Sequence, residues 1–296
     1  MKVDIVITGM HRSGTTWLGR ALSKIAGIEV LNEPFNVDHG VKGVPRWYLD
    51  HRIKEDINFA FDTFREIESG IAKYRWDPSL KKPLKSLAKL FVGNREKRFY
   101  KKIVLENPNR LVIKDPFLLM LTPELIKREI KTIVSVRHPG ALLLSLRRMQ
   151  WHVPNEHLIG RDPAGEFNQT RNGEIKAICE FWNAVYRPTL DILNTNASKH
   201  LFLVDHSSIF EDVLGFGNDL SSFLDLNLER SFLFDFLKSS TSGDTVNPVH
   251  KKQHDFTRDS KMLANSWRKS YSSKELTLFD QEIGSSYEKI RNWHNF

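Results

Sequence analysis

Residues 3 to 25 run from a short apolar stretch rich in β-branched residues, Val3 to Ile7, through a turn, Gly9 to Gly14. They continue into a segment with Trp17, Leu18, Ala21, Leu22 and Ile25 at helical spacing. That pattern predicts a strand, a glycine turn and a helix from Thr15 to Ile25 in immediate succession. Such a turn aims successive backbone N–H groups outward at the positive end of the helix, where an anion is stabilised.

The alternation continues downstream. Ile28 to Leu31, Leu111 to Lys114, Thr132 to Val136 and Leu201 to Val204 read as further short strands. Helical patterns occupy Ala141 to Met149, Glu174 to Leu193 and Leu276 to Ile290. Short strands alternating with helices predict an α/β fold of three layers, a central parallel sheet with helices on both faces. Ligands of such sheets bind beyond the carboxyl ends of the strands. Three polar clusters stand at those ends: Asn32-Glu33-Pro34, Lys114-Asp115-Pro116 and Arg137-His138-Pro139. They are expected to converge with the Gly9–Thr16 turn on one site. No linker divides residues 1–296, so a single domain is expected, with a mostly helical basic insertion at about 36–105.

Charge is uneven. Lys81 to Lys102 holds nine basic residues and one acid, Glu96, which gives +8 and equals the net charge of the whole chain. Leu84, Leu87, Ala88 and Phe91 make an apolar stripe there, so the cations decorate an amphipathic helix. Two readings stay open for it: a solvated face, or a contact for an anionic partner such as a polysaccharide or, peripherally, a membrane surface. Motifs of nucleic-acid-binding modules are absent, and no nucleic-acid partner is expected. The single cysteine, Cys179, excludes an intrachain disulfide scaffold. No stretch approaches the roughly 20 apolar residues of a membrane span, and Asp4, His11 and Arg12 interrupt any signal-like start. A cytoplasmic location is the expectation.

Gly9-Met10-His11-Arg12-Ser13-Gly14-Thr15-Thr16 has the glycine spacing of a P-loop, but Thr15 stands where a nucleotide triphosphatase needs lysine on the β/γ phosphates. The nearest cation is Arg12, and arginine suits multi-point contact with phosphate or sulfonate oxygens. The residues alone leave three readings: an enzyme handling a different phosphorylated donor, a small-molecule kinase, or a non-enzymatic anion-binding module.

GMHRSGTTWLGRAL resembles the 5′-phosphosulfate-binding loop of the sulfotransferases, in the Arg-Ser-Gly-Thr-Thr form of the bacterial, carbohydrate and tyrosylprotein members. Cytosolic phenol-type members usually carry lysine at the Arg12 position. A second element is also similar. Val134-Ser135-Val136-Arg137-His138-Pro139 ends a strand in arginine, and Ser145 follows eight residues later. The family's 3′-phosphate element has that spacing, and the pair would supply a charged fork and a hydroxyl to one phosphate.

The resemblance implies a P-loop-like fold and sulfuryl transfer from 3′-phosphoadenosine 5′-phosphosulfate (PAPS) to a hydroxyl acceptor, a carbohydrate or other small or glycan acceptor. Adenosine 3′,5′-bisphosphate (PAP) would be the product, and no metal is expected. The expected donor contacts are Arg12, Ser13, Gly14, Thr15, Thr16, Trp17, Arg137 and Ser145. Family members also cover the 3′-phosphate with a basic C-terminal loop, for which Arg258 and Ser260 are the candidates, although an ordinary solvated loop fits them equally. Trp17 and Trp267 could stack on rings or belong to the core.

Sulfuryl transfer spreads negative charge over sulfonate and leaving oxygens, so alignment, cations and a base suffice in principle. Arg12 is the first cation. The resemblance to tyrosylprotein-type members implies a catalytic or donor-contacting lysine at Lys114 and the base at Glu33. The histidine base of cytosolic members is missing, since Asp115-Pro116 stands there. His11 and His138 are its substitutes, or else donors to phosphate or structural histidines.

Overall fold

A computed structural model describes residues 1–75, 95–150, 170–193, 195, 199–226, 235–236 and 266–293. Five strands form one sheet: β1 (Val3–Thr8), β2 (Ile28–Asn32), β3 (Arg110–Lys114), β4 (Lys131–Val136) and β5 (Leu201–Asp205). All pairings are parallel, in the order β2-β3-β1-β4-β5. The register pairs Asn32 and Ile7 with Lys114, Thr8 with Val134, and Val136 with Asp205. Every strand therefore delivers its following loop to the same edge.

Alternation along the strands assigns the faces. Ile5, Ile7, Val30, Val112, Ile133, Phe202 and Val204 pack under α1 (Thr15–Leu22), and Leu220, Phe223 and Leu224 join them from a helix at Val213–Leu224. The opposite face is covered in two parts. Val6, Leu31, Leu111 and Ile113 meet α2 (Lys54–Glu68) and α3 (Arg95–Glu106) through Phe64, Ile67, Tyr100 and Ile103. Val134, Val136, Leu201 and Leu203 meet helices at Pro139–Met149, Arg171–Ile192 and Ser273–Arg291. With the short helix α4 (Thr122–Lys127), these later helices are α5 (Pro139–Met149), α6 (Arg171–Ile192), α7 (Val213–Leu224) and α8 (Ser273–Arg291). The result is the three-layer α/β architecture that the alternation predicts.

Two boundaries differ from expectation for local reasons. Helix α1 ends at Leu22 rather than Ile25, because the Lys24 and Ile25 N–H groups bond only three residues back, to the Ala21 and Leu22 carbonyls, and so close a tighter turn. Ile25 keeps its apolar spacing, since it still packs against the same core. The insertion is helical over α2 and α3, but residues 33–53 are mainly turns. There Asn36 Oδ1 accepts the N–H groups of Asp38 and His39, which replaces helical bonding with a side-chain-held turn. The apolar stripe Leu84–Phe91 lies outside the described residues. On α3, Tyr100 and Ile103 face the core while Lys97, Arg98, Lys101 and Lys102 are exposed. Among the described residues no helix is long and apolar enough to cross a membrane.

Candidate active site

The turn after β1 is fixed from β4 and α6. Gly9 has φ +144°, and a Cβ there would overlap the Ser135 carbonyl oxygen. Gly14 has φ +104°, and its Cβ would come within 2.5 Å of His206 Cδ2. Both positions therefore require glycine. Ser135 Oγ donates to the Ser13 carbonyl at 2.6 Å. From α6, the Tyr186 hydroxyl donates to Ser135 O at 2.8 Å and accepts the Met10 N–H at 3.1 Å. Burial pushes the Tyr186 phenol up, so it stays a neutral donor. Helix α1 then begins at Thr15 with no acidic residue in its first turn. The N–H groups of Gly14, Thr15 and Thr16 precede the intrahelical ladder at the positive helix end, which is a ready anion cradle.

The cations gather beside this cradle. Arg12, at φ +71°, donates through Nε to Ser145 Oγ at 3.0 Å. Arg137 Nη1 donates to the Arg12 carbonyl at 2.9 Å, and Trp182 Nε1 holds the Arg137 carbonyl at 3.0 Å. Burial, with the neighbouring Arg12 and Arg148 charges, lowers Arg137 to about 10. The structure thus places Arg137 and Ser145, 125 and 133 residues from Arg12, against the loop itself. An open cleft continues beyond β4 and β5, lined by Arg137, His138, His206, Trp267 and Tyr287 among others.

The second group lies at the ends of β2 and β3. Glu33 follows β2 at φ +49°, and its N–H donates to the Lys114 carbonyl at 2.7 Å. Lys114 Nζ donates to Glu33 Oε1 at 2.6 Å, and Asn36 Nδ2 donates to Oε2 at 3.0 Å. Burial pushes the Glu33 carboxyl up, but the Lys114 ammonium, its hydrogen bond and the Asn36 amide together hold it below the usual glutamate value. Glu33 is therefore ionised at neutral pH and able to accept a proton. Asp115, fully buried, accepts the Phe35 N–H at 2.6 Å on one oxygen and the Phe117 N–H at 2.9 Å on the other. It ties the Glu33 turn to the end of β3. Burial and the Glu33 charge push Asp115 up to about 7, against the pull of those two N–H donors.

Three histidines, His11, His138 and His206, are held neutral. Burial and Arg12 lower His11 to about 4, with Glu33 opposing, and its Nδ1 lies 2.9 Å from the Tyr48 hydroxyl. Burial and Arg268 lower His138 to about 3, and burial and Arg137 lower His206 to about 3. His138 Nδ1 accepts the Gly140 N–H and caps α5, while its ring stacks on Trp267 with centroids 4.1 Å apart. Trp17 is 8% exposed and contacts the rings of Phe216 and Phe236. Both tryptophans thus have protein partners on at least one face.

Arg258 and Ser260 lie outside the described residues. Sequence reasoning did not identify Ser135, Tyr186, His206, Tyr48 or the tether made by Asp115. Ser135 carried the one available signal, a small polar residue inside an otherwise apolar strand. Tyr186 and Tyr48 gave none, because aromatic residues in helices and turns read as core. Among the described residues no group of three or more His, Cys, Asp or Glu side chains could hold a metal ion.

A family model described as a sulfotransferase domain matches residues 2–293. No curated protein matches the chain by sequence. Among solved structures, the sulfotransferase domain from the curacin biosynthetic pathway aligns with a TM-score of 0.50 at 16% identity, over 96% of this chain and 98% of that one. Mouse sulfotransferase SULT7A1 complexed with PAP aligns with a TM-score of 0.52 at 15% identity, over 99% of this chain and 86% of that one. At such identities the likeness concerns the fold.

Proposed function

The chain belongs to the sulfotransferase family, and from that premise we propose that it transfers a sulfuryl group from PAPS to a hydroxyl of a carbohydrate or other small or glycan acceptor. The observation that carries this reading is the meeting, at one sheet edge, of an anion cradle without the triphosphatase lysine, the Arg137–Ser145 element and the Glu33–Lys114 pair. The cradle residues fit a phosphorylated donor: Gly9 and Gly14 leave no room for a side chain, and arginines gather beside them.

In the proposed reaction the Glu33 carboxylate takes the acceptor's hydroxyl proton. The acceptor oxygen forms its bond to sulfur as the bond from sulfur to the bridging phosphate oxygen breaks, and the electron pair stays on the departing PAP. Arg12, the first N–H groups of α1 and Lys114 meet the charge that develops on sulfonate and leaving oxygens. Burial of Lys114 strengthens its field, because little water screens it. His11 and His138 are weaker candidates for the base, since both are buried and already hydrogen-bonded.

The acceptor class rests on the basic segment. Its described part presents Lys97, Arg98, Lys101 and Lys102 to solvent on α3, where an anionic acceptor or membrane surface would be met. The test of the donor is thermal. PAP at a hundred times its Kd should stabilise the protein by about 2.7 kcal/mol, and ATP with magnesium should do so less. Equal shifts for both would remove the donor assignment.

A further inference from the structure

The expected division of labour gives Arg12 to the phosphosulfate end of the donor and Arg137 with Ser145 to the 3′-phosphate. The geometry does not keep these groups apart. Arg12 Nε lies 3.0 Å from Ser145 Oγ, and the Arg12 carbonyl is held by Arg137 Nη1 at 2.9 Å. One residue of the loop therefore touches both members of the other element.

We propose that Arg12 is a shared cation: from the loop that cradles the phosphosulfate, its guanidinium also completes the 3′-phosphate site with Arg137 and Ser145. The inference rests on the donor reading above. A phosphate oxygen accepting from Ser145 Oγ at about 2.8 Å lies within roughly 6 Å of Arg12 Nε in any direction, because the two separations add to no more than that. Within that limit the guanidinium can close to charge-assisted hydrogen-bond distance of a phosphate monoester of charge about −1.5 to −2.

Arg148 adds a third cation, one turn beyond Ser145 on the same face of α5. Its charge, like that of Arg12, is felt at Arg137. Asp205, a carboxylate lining the cleft, is engaged by Ser207, Tyr287 and Arg291. The arrangement makes the loop itself a reader of the 3′-phosphate. A donor lacking that group leaves the guanidinium on Ser145.

Calorimetric titration of PAP and of adenosine 5′-phosphosulfate separates the two ends. Arg12→Gln should weaken PAP roughly 10- to 100-fold, the range for a hydrogen bond to a charged group, and adenosine 5′-phosphosulfate several times less. Combined with Ser145→Ala, its effect on PAP should be clearly less than multiplicative. Arg12→Lys, the residue usual in cytosolic relatives, keeps the charge but loses the fork, and should give the same ranking with a smaller ratio. It also covers the case in which the glutamine variant does not fold. Equal weakening of both ligands, or effects that multiply with Ser145→Ala, overturns the inference while leaving the donor reading in place. Wild-type protein that binds neither nucleotide overturns both.

Discussion

Lys114 Nζ lies 2.6 Å from Glu33 Oε1, with 2% of the lysine side chain and 33% of the glutamate side chain open to solvent. The lysine stem runs under α1, where a Cβ on Gly19 would sit 3.3 Å from Lys114 Cγ. The cation is fixed by packing, and the carboxylate keeps one side toward solvent.

Glu33→Gln should lower kcat by roughly 10²- to 10⁴-fold, the range for loss of a general base. PAP affinity should stay within about threefold, because the amide oxygen can still accept from Lys114 and the loop is untouched. Turnover assays and PAP titration of the same preparation check this. Undiminished turnover would take the base role away from Glu33.

The acid limb of kcat/KM should fall below the ordinary glutamate value near 4.3, because the Lys114 ammonium and the Asn36 amide outweigh the upward push of burial. The matching contribution to stability is present above that value and is lost as pH falls through the depressed one. In Lys114→Met, burial acts with far less opposition, and the limb should move upward in the residual activity. A limb at the same pH in both proteins would detach Glu33 from it.

Stability should decline on acidification from about pH 6.5 toward 5. His11, His138 and His206 are neutral in the fold down to about 4, 3 and 3, whereas the unfolded chain protonates histidine near 6.5. The unfolded state therefore binds more protons in that window. Asp115 acts in the opposite sense, since its folded value near 7 exceeds the unfolded 3.8, so lower pH favours the fold through this group. Among these four groups the three histidines outweigh the one aspartate, so unfolding takes up protons on balance in this window. Urea midpoints measured from pH 8 to 5 should show the fall, and Asp115→Asn should steepen it. Midpoints flat across that range would mean that the histidines are not held neutral.

Gly9→Ala should cost more than about 1–3 kcal/mol and abolish nucleotide binding, because the new methyl overlaps the Ser135 carbonyl at a φ that disfavours side chains. Gly284→Ala is the opposite case. Nothing lies within 4 Å of its Cβ, and it sits inside α8, so it should stabilise by about 0.5–1 kcal/mol. Thermal melts with and without PAP distinguish the two. A tolerated Gly9→Ala would contradict the tight seat of the loop on β4.

The sheet was legible because each strand is a short apolar run ended by polar residues, and burial on both faces enforces that composition. Glu33, Lys114 and Arg137 were legible as candidates for the same reason: they are the polar residues immediately past strand ends. The supports of the loop were not. Tyr186 reaches Ser135 and Met10 from the middle of α6, and His206 packs on Gly14 from the end of β5. No local pattern marks an aromatic residue whose hydroxyl is used from one whose ring is merely buried. The Arg12–Ser145 contact was hidden differently. Each residue was a candidate, but only the β1–β4 pairing brings them together.

The hydrogen bond from the Glu33 N–H to the Lys114 carbonyl continues the β2–β3 ladder one residue past the strand. Glu33 is thus seated by sheet backbone rather than by the segment that follows Asn36. On the proposed assignment, acceptor preference and proton abstraction are separable inheritances. The stretch between Asn36 and β3 could be exchanged like a cartridge, and each replacement would find Glu33 already in register.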